Sequence, residues 1–274
     1  MIYYNQYMNI IQSIILGITE GATEFLPVSS SGHLIIVRKI LGLELVNTLA
    51  YDAILQFASA LALTIYFWKD IRDLIFSFFN LVFRRFVSEK QKTLLWSIVL
   101  GTIPAIVLGL LLESYMNSLF RNIKLVGVML LLGSLLIYLA QRFAQNKKTD
   151  DNPLTVRKGI VIGLYQCLAL LPGVSRSGAT ISGGLFSGLS RDETVRFSFL
   201  LSVPILLGSG LKELISVSGD MGTISLVPLF FGSLASFVVA LLSIHYFIRF
   251  LKNHNFNIFI YYRIAVSLAI FFLF

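Results

Sequence analysis

Glu20 and Glu24 stand four residues apart, so one turn of helix puts both carboxylates on the same face. Their surroundings are apolar, where two like charges repel each other and are costly to bury. They need a cation, a shared proton or basic neighbours, and a hard divalent metal with oxygen ligands, Mg2+ or Ca2+, meets that need directly. The plainer alternative has Glu20 near the surface, capping a hairpin. Further on, Ser29, Ser30 and Ser31 are followed by Gly32 and His33. His33 lies one helical turn from Ser29 and Ser30, which suits proton transfer at a hydroxyl, although a lone histidine is more often a packing residue.

A second constellation centres on Arg176, which sits among Ser175, Ser177, Gly178 and Thr180. A guanidinium with neighbouring hydroxyls and backbone N–H groups at the start of a helix makes an anion cradle, and phosphate is its usual occupant. Ser29, Ser31 and Gly32 offer the same chemistry in the first stretch. The alternative is a structural arginine neutralising Glu20 or Glu24; both roles can hold if phosphate displaces that pairing. Arg263, deep in the last apolar segment, is either a second cation for the site or a partner for backbone carbonyls. His245 and His254 have no comparable company.

The two constellations are copies of one design. Gly17, Glu20, Val28, Ser29, Ser31 and Gly32 meet Gly163, Gln166, Val174, Ser175, Ser177 and Gly178 at a constant offset of 146, and the match continues through Gly42/Gly188, Leu43/Leu189, Tyr51/Phe197 and Leu55/Leu201. Each copy is an apolar segment broken by Pro, Gly and Ser, the pattern of a binding site between membrane repeats.

The elements that must position these residues belong to a membrane protein. Of 274 residues 56% are hydrophobic and 13% charged, and the mean hydropathy is +0.82, far above a soluble domain. The net charge of +8 is spread over short segments between apolar spans, which fits anionic lipid and the positive-inside rule and argues against nucleic acid. The single cysteine, Cys167, excludes a disulfide framework and a thiolate metal site. The start, with no basic region before its apolar run, does not read as a cleavable signal peptide.

Six stretches are long enough to cross a bilayer as helices: about 51–68, 94–112, 123–141, 197–214, 226–248 and 256–274. Segments 10–42 and 159–189 are each interrupted midway, and their short flanks suit re-entrant hairpins of two half-helices. Residues 71–83, apolar and aromatic and followed by Arg84-Arg85, read as an interfacial helix. Lys69, Arg72, Arg84, Arg85, Lys90 and Lys92 in loop 69–93, and Arg142, Lys147, Lys148, Arg157 and Lys158 in loop 142–158, place both loops in the cytoplasm, with Arg249 and Lys252 beside them. Loop 215–225 holds Asp220 and no basic residue, which fits the outside. Trp68, Trp96 and Tyr3-Tyr4-Tyr7 read as interfacial anchors.

Three spans separate the hairpins, so the hairpins enter from opposite faces and both termini lie outside. The expected fold is therefore an all-α integral membrane protein of one domain, 1–274. It comprises two inverted-topology repeats, about 10–141 and 159–274, each a re-entrant hairpin plus three transmembrane helices, with the site at the midplane. A phosphate reached from within the bilayer is most simply a lipid phosphate.

The stretches Glu20-Gly21-Ala22-Thr23-Glu24-Phe25-Leu26-Pro27-Val28-Ser29-Ser30-Ser31-Gly32-His33 and Pro172-Gly173-Val174-Ser175-Arg176-Ser177-Gly178-Ala179-Thr180 resemble the two signature motifs of the undecaprenyl-diphosphate phosphatases, also called bacitracin-resistance proteins. The similarity extends over nearly the whole chain, including Gln166-Cys167-Leu168-Ala169-Leu170 and Phe197-Ser198-Phe199-Leu200-Leu201. It implies hydrolysis of a C55 polyprenyl diphosphate to the monophosphate and inorganic phosphate, recycling the lipid carrier of peptidoglycan and other envelope polymers. It also implies a bacterial cytoplasmic (inner) membrane location, a site open to the periplasm and a divalent metal. The family's acidic pair maps onto Glu20 and Glu24, its serine onto Ser30, its histidine onto His33, and its phosphate-binding residues onto Ser175, Arg176, Ser177 and Thr180.

In this reading Glu20 and Glu24 hold the metal and Arg176 stabilises the transferring phosphoryl group. Ser30 attacks with His33 shuttling its proton, or else a water activated by metal or Glu24 attacks. The expected partners are the polyprenyl diphosphate and membrane lipids, with homo-oligomerisation left open. The rival from another class is a carrier that flips polyprenyl phosphate with the same inverted-repeat site.

Overall fold

The computed structural model describes residues 8–43, 48–119, 122–146, 153–218 and 225–274. Tyr3, Tyr4, Tyr7, Lys147, Lys148 and Asp220 lie outside the described residues. Among those described there are eleven α-helices and no strand: α1 (Ile10–Thr23), α2 (Ser30–Ile40), α3 (Thr48–Tyr66), α4 (Trp68–Val82), α5 (Glu89–Leu119), α6 (Ile123–Gln145), α7 (Val156–Cys167), α8 (Arg176–Phe186), α9 (Arg191–Ser218), α10 (Leu226–Leu251) and α11 (Asn257–Leu273).

The two interrupted segments become short helix pairs, α1 with α2 and α7 with α8, each pair in mutual contact. None of the four exceeds 14 residues, about 21 Å of helix, too short to cross a hydrocarbon core of about 30 Å. Their ends are set by local chemistry. A capping box between Asn9 and Gln12 starts α1, and the Thr155 side chain caps α7. Gly42 and Gly188 take φ of 63° and 77° just past α2 and α8. There Leu43 N–H reaches the Arg38 carbonyl and Leu189 N–H the Gly184 carbonyl, a left-handed stop that glycine adopts without strain.

Among the described residues four helices are by themselves long and apolar enough to cross a membrane: Glu89–Leu112 within α5, all of α6, Arg191–Ser216 within α9, and α10. The span expected at 51–68 is α3, which meets that standard only together with α4, across a bend of 87°. The span expected at 256–274 is α11, whose 17 residues make about 26 Å of helix. The count is thus four, or five with the bent pair, where six were expected. The helix read at 71–83 is α4, whose Phe76, Phe78, Phe79 and Val82 are exposed; Trp68 and Trp96 are exposed as well. Exposed leucine, isoleucine and phenylalanine side chains on α5, α6, α10 and α11 form far more apolar surface than water tolerates, as a multi-pass membrane protein requires.

Small residues let the short helices sit against the long ones. A Cβ on Gly17 would overlap the Gly232 carbonyl, and one on Gly163 the Gly101 carbonyl, so α1 lies on α10 and α7 on α5 at backbone contact. A core of Phe25, Phe199, Leu201, Phe247 and Ile181 packs beneath the first break, with the Phe25 and Phe199 rings edge to face at 5.6 Å.

Candidate active site

Between each pair of short helices the chain turns through a serine in an unusual conformation. Ser29 and Ser175 have φ of 75° and 78°, a region that non-glycine residues enter at a cost of about 1–3 kcal/mol. Each serine N-caps the following helix, Ser29 accepting from Gly32 N–H and Ser175 from Gly178 N–H. The strained turn makes Ser30 and Arg176 the first residues of α2 and α8, so two helix N-termini present their unpaired N–H groups to one place.

That place is the head of a cavity of about 530 Å3 whose lining includes Glu24, Ser29, Ser30, Ser31, Gln166, Ser175 and Arg176. The Ser30 hydroxyl donates to Oε2 of Glu24, and Nη2 of Arg176 donates to Oε1 of Glu24 at 2.8 Å. The ion pair is shielded, with side-chain exposures of 11% and 4%, so removing either partner strands a buried charge. The Arg176 guanidinium also lies over the Phe25 ring, 5.8 Å from its centroid. Its Nε and Nη1 are buried without a partner. Glu20 is fully buried with its carboxyl against that of Glu24, and no protein N–H or hydroxyl donates to its oxygens; it does not reach the surface as a hairpin cap would.

Among the described residues no three His, Cys, Asp or Glu side chains gather to hold a metal. The donor set on offer is Glu20, to whose oxygens no N–H or hydroxyl donates, with Glu24 and the tip hydroxyls. That fits a cation such as Mg2+, which commonly takes one or two carboxylates and completes its shell with water and substrate phosphate.

Other residues singled out in the sequence are placed elsewhere. The His33 ring donates from Nδ1 to the Ser29 carbonyl at 2.7 Å and meets the Tyr262 hydroxyl at Nε2, also at 2.7 Å. Both ring nitrogens are engaged, and the proton acceptor in contact with Ser30 is Glu24. The Ser177 hydroxyl donates to the Leu26 carbonyl at 2.8 Å and joins the two tips. The Thr180 hydroxyl is shared with the Arg176 carbonyl and Ser198. Gly32 and Gly178 pack against Val126 and Ile137.

Arg263 takes the second of its two readings. It is completely buried and donates to the carbonyls of Pro27 in the first tip and of Gly173 and Val174 in the second, each at 3.0 Å. It also donates to the Leu130 carbonyl and the Ser134 hydroxyl of α6. One guanidinium therefore fastens both breaks to α6 and satisfies carbonyls that the interrupted helices leave unpaired.

Sequence reasoning gave no site role to Gln166, Asp52, Gln56, Lys212 or Glu213, all of which line the cavity, nor to Arg38, which is paired with Asp52 in the interior. For Gln166 a signal existed, since it is the partner of Glu20 at the 146-residue offset. For the others the apolar helices around them gave none.

Residues 13–269 match the model of the family described as "Bacitracin resistance protein BacA". A Corynebacterium glutamicum protein named undecaprenyl-diphosphatase is 39% identical over 265 residues, covering 95% of this chain and 89% of its own. One of the same name from Thermobifida fusca is 37% identical over 267 residues, with 96% and 89% coverage, and one from Corynebacterium striatum is 40% identical over 266, with 96% and 94%. With the motifs and near-complete coverage in agreement, this chain belongs to the bacitracin resistance protein BacA family.

Proposed function

We propose that the protein is a membrane phosphatase that hydrolyses undecaprenyl diphosphate to undecaprenyl phosphate and inorganic phosphate, using Ser30 as nucleophile. The observation that carries this is the Ser30 hydroxyl already donating to Glu24, whose other oxygen is held by Arg176, at the head of a cavity lined in larger part by apolar side chains. Glu24 is oriented by Arg176 and takes the hydroxyl proton as Ser30 Oγ attacks the terminal phosphorus. The bond from that phosphorus to the bridging oxygen breaks, releasing the lipid monophosphate. The free edge of Arg176 and the N–H groups at the starts of α2 and α8 hold the negative oxygens of the transferring group. Water then attacks the phosphoserine; Glu24 returns its proton to Ser30 Oγ as the bond from that oxygen to phosphorus breaks, and the proton of the attacking water stays with the inorganic phosphate that leaves. A divalent ion, held by Glu20 and Glu24, would neutralise diphosphate charge and polarise its oxygens. His33 acts on the tip rather than on the proton, by holding the Ser29 carbonyl.

The same reading makes the fold a pair of inverted repeats, about 10–141 and 159–274. It is supported by the constant offset of the two helix pairs, the two left-handed serines, and the matching contacts of α1 with α10 and α7 with α5. It places loops 69–93 and 142–158 in the cytoplasm of a bacterial inner membrane. The cavity then opens outward, because Lys212 and Glu213 on its wall lie toward the end of α9 that leads into the loop without basic residues. A flippase is not favoured, since passive carriage of the lipid has no use for a hydroxyl held against a carboxylate.

The test is phosphate release by purified protein in detergent, comparing a C55 diphosphate with a soluble diphosphate across a Mg2+ and Ca2+ titration. Metal-dependent release favouring the lipid is expected; no release under any condition, with lipid transport in vesicles, would establish the carrier instead.

A further inference from the structure

Gln166 is 2% exposed, and neither its amide nitrogen nor its amide oxygen has a hydrogen-bond partner. An amide buried without partners has given up its water and gained nothing in return. It lines the same cavity as Arg176, whose Nε and Nη1 are also without partners. Unmet N–H donors on two side chains facing one space mark a site for a ligand rich in acceptors.

The position of Gln166 says which part of the ligand. Ser30, Glu24 and Arg176 occupy the polar head of the cavity. One turn beyond Gln166, Ala169 and Leu170 begin the apolar wall, which continues across to Ile106, Gly109 and Leu110 of α5. That wall has room for chain: a methyl group built on Gly109 would meet only Leu170, at 3.7 Å, and one on Gly208 of α9 would have nothing within 4 Å. Gln166 thus stands where a charged head must join a hydrocarbon tail. In a prenyl diphosphate that junction is the lipid-side phosphoryl group.

We infer that Gln166 is a substrate-binding residue that donates its amide N–H to the lipid-side phosphoryl group, forming a second, neutral phosphate subsite beside the Arg176–Glu24 centre. A neutral donor suits this position, because the lipid-side phosphate remains on the product and must leave with it. The inference rests on the reading of the cavity as a prenyl diphosphate site.

The test measures binding by ligand-induced thermal shift of the detergent-purified protein, which needs no turnover. Farnesyl monophosphate and inorganic phosphate serve as probes, with wild type, Gln166→Leu and Gln166→Glu compared. Gln166→Leu is expected to weaken farnesyl monophosphate about tenfold or more, as loss of a hydrogen bond to a charged acceptor does, and to leave phosphate binding within twofold. Its melting temperature without ligand should be equal or higher, since an unpaired amide is gone. Gln166→Glu should weaken the lipid probe further by like-charge repulsion. Unchanged affinity for farnesyl monophosphate in both variants overturns the subsite, and equal loss for the two probes places Gln166 on the transferred phosphate instead. If wild type binds farnesyl monophosphate but releases no phosphate from the C55 diphosphate, the enzymatic reading fails while the subsite stands.

Discussion

The two tips share a backbone and divide the chemistry. Ser29 and Ser175 have nearly the same φ, each caps the glycine three residues on, and the helices they start end in the same glycine-led stop. Yet Glu20 faces Gln166 across the 146-residue offset, Glu24 faces Leu170, Ser30 faces Arg176 and His33 faces Ala179. The first tip carries the acids and the hydroxyl held against one of them, the second the cation and an amide. Neither half is a site alone, because a carboxylate beside a serine repels a phosphate unless a guanidinium from elsewhere offsets it. What the copies share is an N-terminal helix end; their differences bring a hydroxyl, a carboxylate and a guanidinium into contact there.

Exchanging the members of that division should give the largest effects. Ser30→Ala, which removes the proposed nucleophile, should abolish phosphate release, whereas a water mechanism would leave measurable turnover. Rapid quench of wild type followed by mass spectrometry should find phosphate on Ser30 and on neither Ser29 nor Ser31. Arg176→Ala should lower kcat by about 10²–10³, the usual effect of removing one donor to a transferring group. Arg176→Lys should recover little, because lysine cannot hold Glu24 and phosphate together as a planar fork does. Initial rates in detergent decide both.

Arg263 tests whether the tips must be held in register. Arg263→Met leaves the carbonyls of Pro27, Gly173 and Val174 without their donor, at about 1–3 kcal/mol each. A lower melting temperature and a fall in kcat larger than any rise in KM are expected. Near-normal kcat in a destabilised variant would show that register is set by packing alone.

Glu20→Gln keeps the shape and removes one charge of the acidic pair, so the metal titration should shift to higher concentration by about tenfold while the fold is kept; an unmoved midpoint would confine metal binding to Glu24 and substrate. The smallest effect is expected at His33. If it only holds the Ser29 carbonyl, His33→Gln should lower kcat by less than about tenfold with an unchanged pH profile, whereas loss of a proton shuttle would cost about 10²–10⁴.

How much of this was legible in the chain follows from the range of each interaction. Composition and the lengths of apolar runs specify a membrane protein, because burying polar backbone in lipid leaves few alternatives. Pro, Gly and Ser in two registered stretches specify the helix breaks within a residue or two, since caps and stops act over three to five residues. The pairing of Glu24 with Arg176 was foreseen as one alternative, because the charges had no other sensible neutraliser. Among the described residues four crossings, or five with the bent pair, are long and apolar enough, against six expected: 51–68 reads as a span by composition, while α3 reaches that length only together with α4, across a bend of 87° that no local pattern announces.

The remaining decisions belong to the tertiary structure alone. That Ser30, not its neighbours, meets Glu24 depends on φ at Ser29. That His33 turns to Tyr262, 229 residues away, and Arg263 to Pro27, 236 residues away, depends on how α6 and α11 lie beside the tips. Residue types and spacing determined the membrane class, the two breaks and the set of reactive side chains. Packing decided which of them touch, because a side chain's partner across hundreds of residues is chosen by the helices that carry both, and no local pattern encodes it.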